Sequence, residues 1–172
     1  MYIEYLSVQG LKLLRNVELN FTRPDGELRK WTVLIGRNGT GKTSVLQAIA
    51  LTTIGSQQIN NLAEPVLDHL RDRRLGADGR MEIFSRFSFS DIALRKDIFP
   101  GLAAPVPRSL RLDSSAYLLP KSSLLSADSR YSDYSGEPTR ETLMPLDRAR
   151  DLQHKLWFVA GYGPARHLPE SG

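Results

Sequence analysis

The sequence contains no cysteine and no long apolar run. Without cysteine in its 172 residues, the chain can form neither a disulfide framework nor a thiolate metal site. No stretch approaches the roughly 18 consecutive apolar residues that a membrane-spanning helix needs. The first residues, Met1-Tyr-Ile-Glu-Tyr5, lack the basic and apolar regions of a secretory signal. We therefore expect a cytoplasmic protein without a membrane partner.

The overall composition is ordinary for a globular domain. Hydrophobic residues make up 41% of the chain and charged residues 24%, which is enough for a real core. The net charge of +4 permits contact with nucleic acid but does not require it. We expect residues 1–172 to belong to one domain.

One stretch matches the phosphate-loop pattern G-x-x-x-x-G-K-[ST], also called Walker A. It reads Gly36-Arg-Asn-Gly-Thr-Gly-Lys-Thr43. The apolar, β-branched residues 32–35 precede it and predict a buried strand. Residues 44–50 follow it with apolar side chains at helical spacing. The glycines therefore lie between a strand and a helix, which is the setting that phosphate binding requires.

The residue types in this loop explain how it would hold a nucleotide. Glycine allows a positive φ and a close approach of the backbone, so that successive N–H groups can surround an anion. Lys42 is predicted to reach the β- and γ-phosphates as the catalytic cation, and the Thr43 hydroxyl is predicted to bind Mg²⁺. The predicted ATP–Mg²⁺ site comprises Gly36, Arg37, Asn38, Gly39, Thr40, Gly41, Lys42, Thr43 and Ser44.

The residues before the loop predict antiparallel strands. Residues 2–9 and 16–21 alternate apolar and polar side chains, and residues 27–35 are expected to form a third strand that enters the loop. Together with this loop, residues 1–50 resemble the N-terminal lobe of ABC-type ATPases of the SMC and RecF class. In that class an arginine before the second strand contacts nucleotide. The matching residue here is Lys12, which has no planar fork and is equally interpretable as a solvated lysine.

The resemblance implies an α/β fold, namely a P-loop NTPase lobe with an antiparallel β subdomain. Residues 1–50 would supply the strands, the loop and the first helix, and residues 51–172 a helix and β insert. Within that insert we predict strands over 80–91 and 110–119, the second at a sheet edge, and a helix over 142–153. The serine-rich segment 121–136 is expected to be a mobile loop.

Two further stretches have open interpretations. The basic residues Arg71, Arg73 and Arg74 could contact phosphate, but Asp68 and Asp72 dilute their charge, and a plain amphipathic helix is preferred. Residues 155–163 are predicted to be a buried strand. This strand ends in Gly-Tyr-Gly-Pro-x-Arg, which resembles a segment of large bacterial P-loop ATPases, some of them linked to phage defence.

The sequence contains neither a Walker B strand ending in a carboxylate nor a signature motif. In the resembled class these parts lie far downstream. We therefore expect an N-terminal portion of a longer ATPase, or a degenerate reading frame. Hydrolysis would need a second ATPase lobe, from a homodimer or a C-terminal half, with DNA or an effector protein as a further partner. The implied role is DNA repair, DNA maintenance or phage defence.

Two other functions also involve a phosphate loop. The alternative to an ATPase is a nucleotide-dependent DNA-binding or clamp module in which hydrolysis is secondary. A small-molecule kinase is disfavoured, because two strands precede the phosphate loop and no lid-like arginine cluster is evident.

Overall fold

A five-stranded antiparallel sheet runs through the computed structural model, which describes residues 2–76, 78–89, 110–132 and 144–151. The strand order is β2-β1-β3-β4-β5, and every neighbouring pair is antiparallel. The strands are β1 (Tyr2–Leu11), β2 (Leu14–Asn20), β3 (Met81–Phe89), β4 (Leu110–Leu118) and β5 (Ser126–Tyr131).

The described helices are short. They are α1 (Lys42–Thr52), α2 (Ile59–Ala63) and α3 (Pro145–Asp151), with 3₁₀ helices at Glu64–His69 and Arg73–Leu75. Helix α1 follows the phosphate loop directly and packs on the sheet. The position of the loop therefore depends on the packing of α1 against the sheet. None of the helices described here is long and apolar enough to cross a membrane.

Alternation along the strands separates a core face from an outer face. Val8 pairs with Val17 on one side and with Ile83 on the other, and Ile83 in turn pairs with Ala116. Val8, Ile83 and Ala116 are fully buried and belong to one core cluster with Val45, Ala48 and Leu51 of α1. Because side chains one residue apart point to opposite faces, the intervening polar residues form the outer face.

Most of the predicted elements are found. Strands β1 and β2 confirm the alternation over residues 2–9 and 16–21, β3 confirms the described part, 81–89, of the strand predicted over 80–91, and α3 lies within the predicted helix 142–153. The prediction that the strand at 110–119 is an edge strand is wrong, because β5 pairs along its other side. Residues 155–163 lie outside the described residues.

The serine-rich segment 121–136 is not a continuous loop. Ser126–Tyr131 forms β5, so the loop prediction is wrong for the middle of the segment. Its alternation places Ala127 and Ser129 in the interior, where Ser129 accepts a hydrogen bond from the N–H of Leu146. Serine content alone was misleading, because a small hydroxyl residue is accommodated on a sheet face wherever a partner group is present. Residues 133–136 lie outside the described residues.

The predicted third strand over 27–35 is also wrong. Leu28 makes an isolated bridge with Thr22, and residues 31–37 have no regular structure. Trp31, Val33 and Ile35 are 89%, 76% and 91% exposed, and we call these three alternating residues the apolar comb. A strand needs a hydrogen-bonded neighbour, and in the part of the chain that the structure describes none lies beside this segment.

Candidate nucleotide-binding site

The phosphate loop leads into α1 through two glycines with left-handed backbones. The φ angles are 81° at Gly39 and 90° at Gly41, values that L side chains rarely adopt. A Cβ at Gly39 would meet nothing within 4 Å, so this side of the loop is open. A Cβ at Gly41 would lie 2.8 Å from Leu14 Cδ2, so β2 sets how closely the loop approaches the sheet.

Lys42 stabilises the loop from within. Its Nζ donates to the Gly36 carbonyl at 2.7 Å and to the Arg37 carbonyl at 2.6 Å. The Thr40 hydroxyl donates to the same Arg37 carbonyl at 2.8 Å. An ammonium group has three N–H donors, so two can hold the loop while the third is directed at a bound oxygen. Lys42 can therefore shape the loop and contact a phosphate at the same time.

The N-terminus of α1 is suited to an anion. The N-cap is Gly41, which has no side chain to cap the first turn. The first N–H groups of a helix have no partner within the helix, and its dipole places partial positive charge there. Thr43 is exposed in this turn. Ser44 is buried, so we expect it to contact a phosphate through its N–H rather than its hydroxyl.

Lys12 lies against α1 and not on the loop. Its Nζ donates to Gln47 Oε1 at 2.7 Å, and its backbone N–H donates to the Leu70 carbonyl at 2.7 Å. Lys12 has a positive φ of 51°, in the tight connection between β1 and β2. It therefore links the first 3₁₀ helix to the phosphate-loop helix, and its contact with nucleotide stays a prediction.

Buried hydroxyl groups fix the other end of α1, and we call Thr52, Ser85 and Ser114 the hydroxyl seam. Thr52 Oγ1 donates to Ser85 Oγ at 2.7 Å, and Ser114 Oγ donates to the Thr52 carbonyl at 2.6 Å. All three residues are nearly inaccessible to solvent. Ser114 satisfies one of the last carbonyls of α1, which have no partner in the helix. The seam thus sets the position of α1 along the sheet.

Asp147 of α3 anchors the segment that follows α1. Its carboxylate accepts hydrogen bonds from the Ser56 N–H at 3.0 Å, the Ser56 hydroxyl at 2.8 Å and the Gln57 N–H at 2.9 Å. A Cβ at Gly55 would lie 2.6 Å from Asp147 Oδ1, so the approach requires glycine. Arg150 adds a bond from Nε to the Ile54 carbonyl at 2.6 Å.

The structure brings most of the sequence-predicted residues together, since residues 36–44 form one turn and the start of one helix. Lys12 is the exception, because its side chain lies on Gln47. Sequence reasoning missed Gln47, the hydroxyl seam and Asp147. The seam had a faint signal, because Ser85 and Ser114 fall at core-facing positions of alternating strands. Among the described residues, no group of three His, Cys, Asp or Glu side chains could hold a metal ion.

Comparison with known proteins gives a family and two similar proteins. Residues 1–103 match the family model described as AAA ATPase domain. Septu protein PtuA from Bacillus mycoides (strain KBAB4) is 42% identical over 57 residues, 33% of this chain, and the chain spans only 8% of that protein's length. A solved structure concerning ATP-driven dimerization and DNA stimulated activation of SMC ATPases has a TM-score of 0.48 and 17% identity, covering 87% of this chain and 79% of that one.

Proposed function

The chain belongs to the AAA ATPase domain family, and from that premise we propose that residues 36–44 bind ATP with Mg²⁺. The family match over residues 1–103 confirms the predicted fold, an N-terminal lobe of a P-loop ATPase. The bound nucleotide, the metal and the individual site residues are our proposal. In it, the loop N–H groups and the start of α1 surround the phosphates, while Lys42 contacts the β- and γ-phosphates.

The geometry around Lys42 carries this proposal. An uncapped helix N-terminus follows a loop with left-handed glycines, and the Lys42 ammonium is held over that loop by two carbonyls. Such a lysine needs little reorganisation when a phosphate arrives, so less binding energy is lost in ordering it. The arrangement favours a polyphosphate over a monoanion, because a cation and a helix dipole act on the same ligand.

The exposed Thr43 hydroxyl fits a hard cation. Mg²⁺ prefers oxygen ligands, keeps several waters and takes further oxygens from the substrate phosphates. Thr43 would supply one oxygen, and the metal would neutralise charge on the phosphates. The described residues offer no carboxylate cluster to complete this set, so we propose that a carboxylate from a second ATPase lobe completes it.

Calorimetric titration with ATP and Mg²⁺ tests the proposal. Lys42→Ala should weaken binding at least tenfold, because a charge-assisted hydrogen bond contributes about 1.5–3 kcal/mol. Thr43→Ala should weaken binding only when Mg²⁺ is present. Lys121→Ala serves as the matched control, since it removes one exposed lysine that does not belong to the phosphate loop. Wild-type affinity in both the Lys42 and Thr43 variants would contradict the assignment.

We further propose that the second lobe docks along the apolar comb. Trp31, Val33 and Ile35 expose large apolar side chains, while Leu34 packs against the core cluster. This alternation is that of a strand with one face prepared for burial. A strand from the second lobe would pair with this segment, and burial of the comb would stabilise the pairing. The site would then be completed next to the loop that the comb leads into.

Turnover measurements test this dependence. The 172-residue chain alone should bind ATP yet hydrolyse it very slowly, because phosphoryl transfer requires groups that position water and stabilise charge. Supplying the second lobe should raise turnover by orders of magnitude, since a single transition-state group contributes ~10²–10³ in rate. Turnover near an ordinary ~1 s⁻¹ by the chain alone, abolished by Lys42→Ala, would sink this part of the proposal.

In the cell, we propose a role in DNA repair, DNA maintenance or defence against phage, as the resemblances of residues 1–50 and of the segment ending in Gly-Tyr-Gly-Pro-x-Arg imply. The alternative is a nucleotide-dependent DNA-binding or clamp module in which hydrolysis is secondary. Binding of duplex DNA that falls steeply with salt and depends on ATP would favour the clamp. DNA-independent turnover with the second lobe present would favour the ATPase.

A further inference from the structure

Three donors converge on one carbonyl oxygen of the phosphate loop, that of Arg37. Lys42 Nζ lies 2.6 Å from this oxygen, the Thr40 hydroxyl 2.8 Å and the Thr40 backbone nitrogen 3.4 Å. The neighbouring Gly36 carbonyl accepts from Lys42 Nζ at 2.7 Å, and among the described residues no second donor reaches it. A carbonyl oxygen has two lone pairs, so Lys42 and the Thr40 hydroxyl already satisfy the Arg37 carbonyl.

The Thr40 side chain also explains why residue 36 is glycine. The φ angle of Gly36 is not positive, so its backbone conformation does not require glycine. A Cβ at this position would lie 2.7 Å from Thr40 Oγ1, and the next nearest atoms, Thr40 Cβ and Cγ2, belong to the same side chain. The hydroxyl therefore rests directly against Gly36, in a contact that only a residue without Cβ permits.

The Lys42 ammonium has too few hydrogens for all the acceptors that a nucleoside triphosphate would bring. In the free loop it donates to two carbonyls. In the proposed site it also contacts the β- and γ-phosphates, so four acceptors compete for its three N–H groups. One carbonyl must then be released. A diphosphate presents only its β-phosphate to Lys42, and both carbonyls can be kept.

The Arg37 carbonyl is the acceptor that Lys42 can release at the lower cost. It keeps the hydrogen bond from the Thr40 hydroxyl, whereas the Gly36 carbonyl would lose the one donor described for it. Once a nucleotide covers the loop, a carbonyl without a partner is destabilising. A hydroxyl has a single hydrogen, and that of Thr40 is directed at Arg37, so it is not available to the ligand.

We propose that Thr40 is a positioning residue that contributes to a preference of the loop for a nucleoside triphosphate over a diphosphate. Its hydroxyl holds the Arg37 carbonyl and keeps the loop closed while Lys42 turns to the γ-phosphate. This role rests on the proposed nucleotide site. It concerns a side chain that the phosphate-loop pattern leaves open, since Thr40 occupies one of the x positions of G-x-x-x-x-G-K-[ST].

Calorimetric titrations of the 172-residue chain with ATP and with ADP, both with Mg²⁺, test this role. Thr40→Val keeps the shape of the side chain and removes the hydroxyl. It should weaken ATP binding about fivefold, as expected for loss of one neutral hydrogen bond, and leave ADP binding near the wild-type value. Thr40→Ser retains the hydroxyl and should retain the preference for ATP. Thr22→Val is the matched control, because it removes a threonine hydroxyl that is hydrogen-bonded to Asn20 outside the loop.

Gly36→Ala tests the same contact from its other side. The added Cβ displaces the Thr40 hydroxyl from its position, so this variant should lose ATP affinity to the same extent as Thr40→Val. Combining the two changes should weaken binding no further, because both remove one interaction. If the Thr40 hydroxyl contacted the ligand itself, the two losses would add, and the proposal would be wrong.

Three further results would overturn the role of Thr40. They are wild-type ATP affinity in Thr40→Val, equal losses of ATP and ADP affinity in that variant, and a serine variant that behaves like the valine variant. Circular dichroism checks that each variant is folded, which we expect because Thr40 is exposed. Lys42→Ala separates this role from the nucleotide site. If Lys42→Ala weakens ATP binding and Thr40→Val does not, only the role of Thr40 is refuted, whereas wild-type affinity in Lys42→Ala refutes both.

Discussion

The anchor at Asp147 gives the sharpest test of how α1 and its loop are supported. Asp147 is 4% exposed and accepts three hydrogen bonds from Ser56 and Gln57. Replacing it with alanine leaves the Ser56 N–H and hydroxyl, which are half-buried, without their acceptor. The Gln57 N–H belongs to an exposed residue, so water can take over there.

The magnitude follows from these contacts. Hydrogen bonds to a charged group contribute about 1.5–3 kcal/mol each, and a buried donor left without a partner costs about 1–3 kcal/mol. With two donors affected and one rescued by water, Asp147→Ala should lower the free energy of unfolding by about 3 kcal/mol. Urea denaturation followed by circular dichroism measures this change.

Asp147→Asn distinguishes charge and hydrogen bonding from side-chain volume. The two carboxylate oxygens serve different donors, Oδ1 the Gln57 N–H and Oδ2 both groups of Ser56. An amide has one oxygen, which can keep both Ser56 donors while its NH₂ group faces the exposed Gln57 N–H, so asparagine should destabilise less than alanine. Asp151→Ala is the control, because it removes an exposed carboxylate from the same helix. If Asp147→Ala and Asp151→Ala unfold at the same urea concentration, the reasoning is refuted.

Three other predictions concern single groups. Hydrogen bonds from Arg74 hold the pKa of the Asp72 carboxyl below its ordinary value. The ionised carboxylate therefore contributes its full stabilisation of the fold above about pH 4, and this contribution is lost as the pH falls further. In urea titrations from about pH 7 to 2.5, Asp72→Asn should reduce that loss of stability at acid pH. Ser114→Ala removes the donor to a C-terminal carbonyl of α1 and should lower the free energy of unfolding by about 1–2 kcal/mol, which thermal unfolding detects as a lower midpoint temperature. Gly41→Ala combines a left-handed φ with a contact to Leu14, so it should weaken ATP binding in calorimetry more than Gly39→Ala does.

The phosphate loop was the part of the site that the sequence determined most firmly. Its glycines and Lys42 are close in the chain, and the chemistry of phosphate binding depends on their local spacing. Strands β1, β2 and β3 were likewise predictable, because a face buried against α1 imposes alternation on each strand. These features share a cause, since each arises from residues that are neighbours in sequence.

The features that sequence reasoning missed depend on contacts between distant residues. Asp147 binds groups 90 and 91 residues earlier, and nothing local marks it as different from an exposed aspartate. Nothing in the sequence distinguishes Ser114 from other serines, because its role depends on a hydrogen bond to the distant Thr52 carbonyl. The strand predicted through residues 31–35 is wrong for a different reason. Its composition correctly reports a preference for strand, but a strand forms only where another strand supplies hydrogen bonds.

The apolar comb also has a consequence for the behaviour of the chain in concentrated solution. Exposed extended segments with alternating large apolar side chains can stack between copies and start aggregation. Here Arg29 and Lys30 precede the comb and Arg37 follows it, so positive charge flanks it on both sides. Like charges repel when copies align, and such flanking residues act as gatekeepers. Salt screens that repulsion, so high ionic strength should promote aggregation of this chain and lower its solubility.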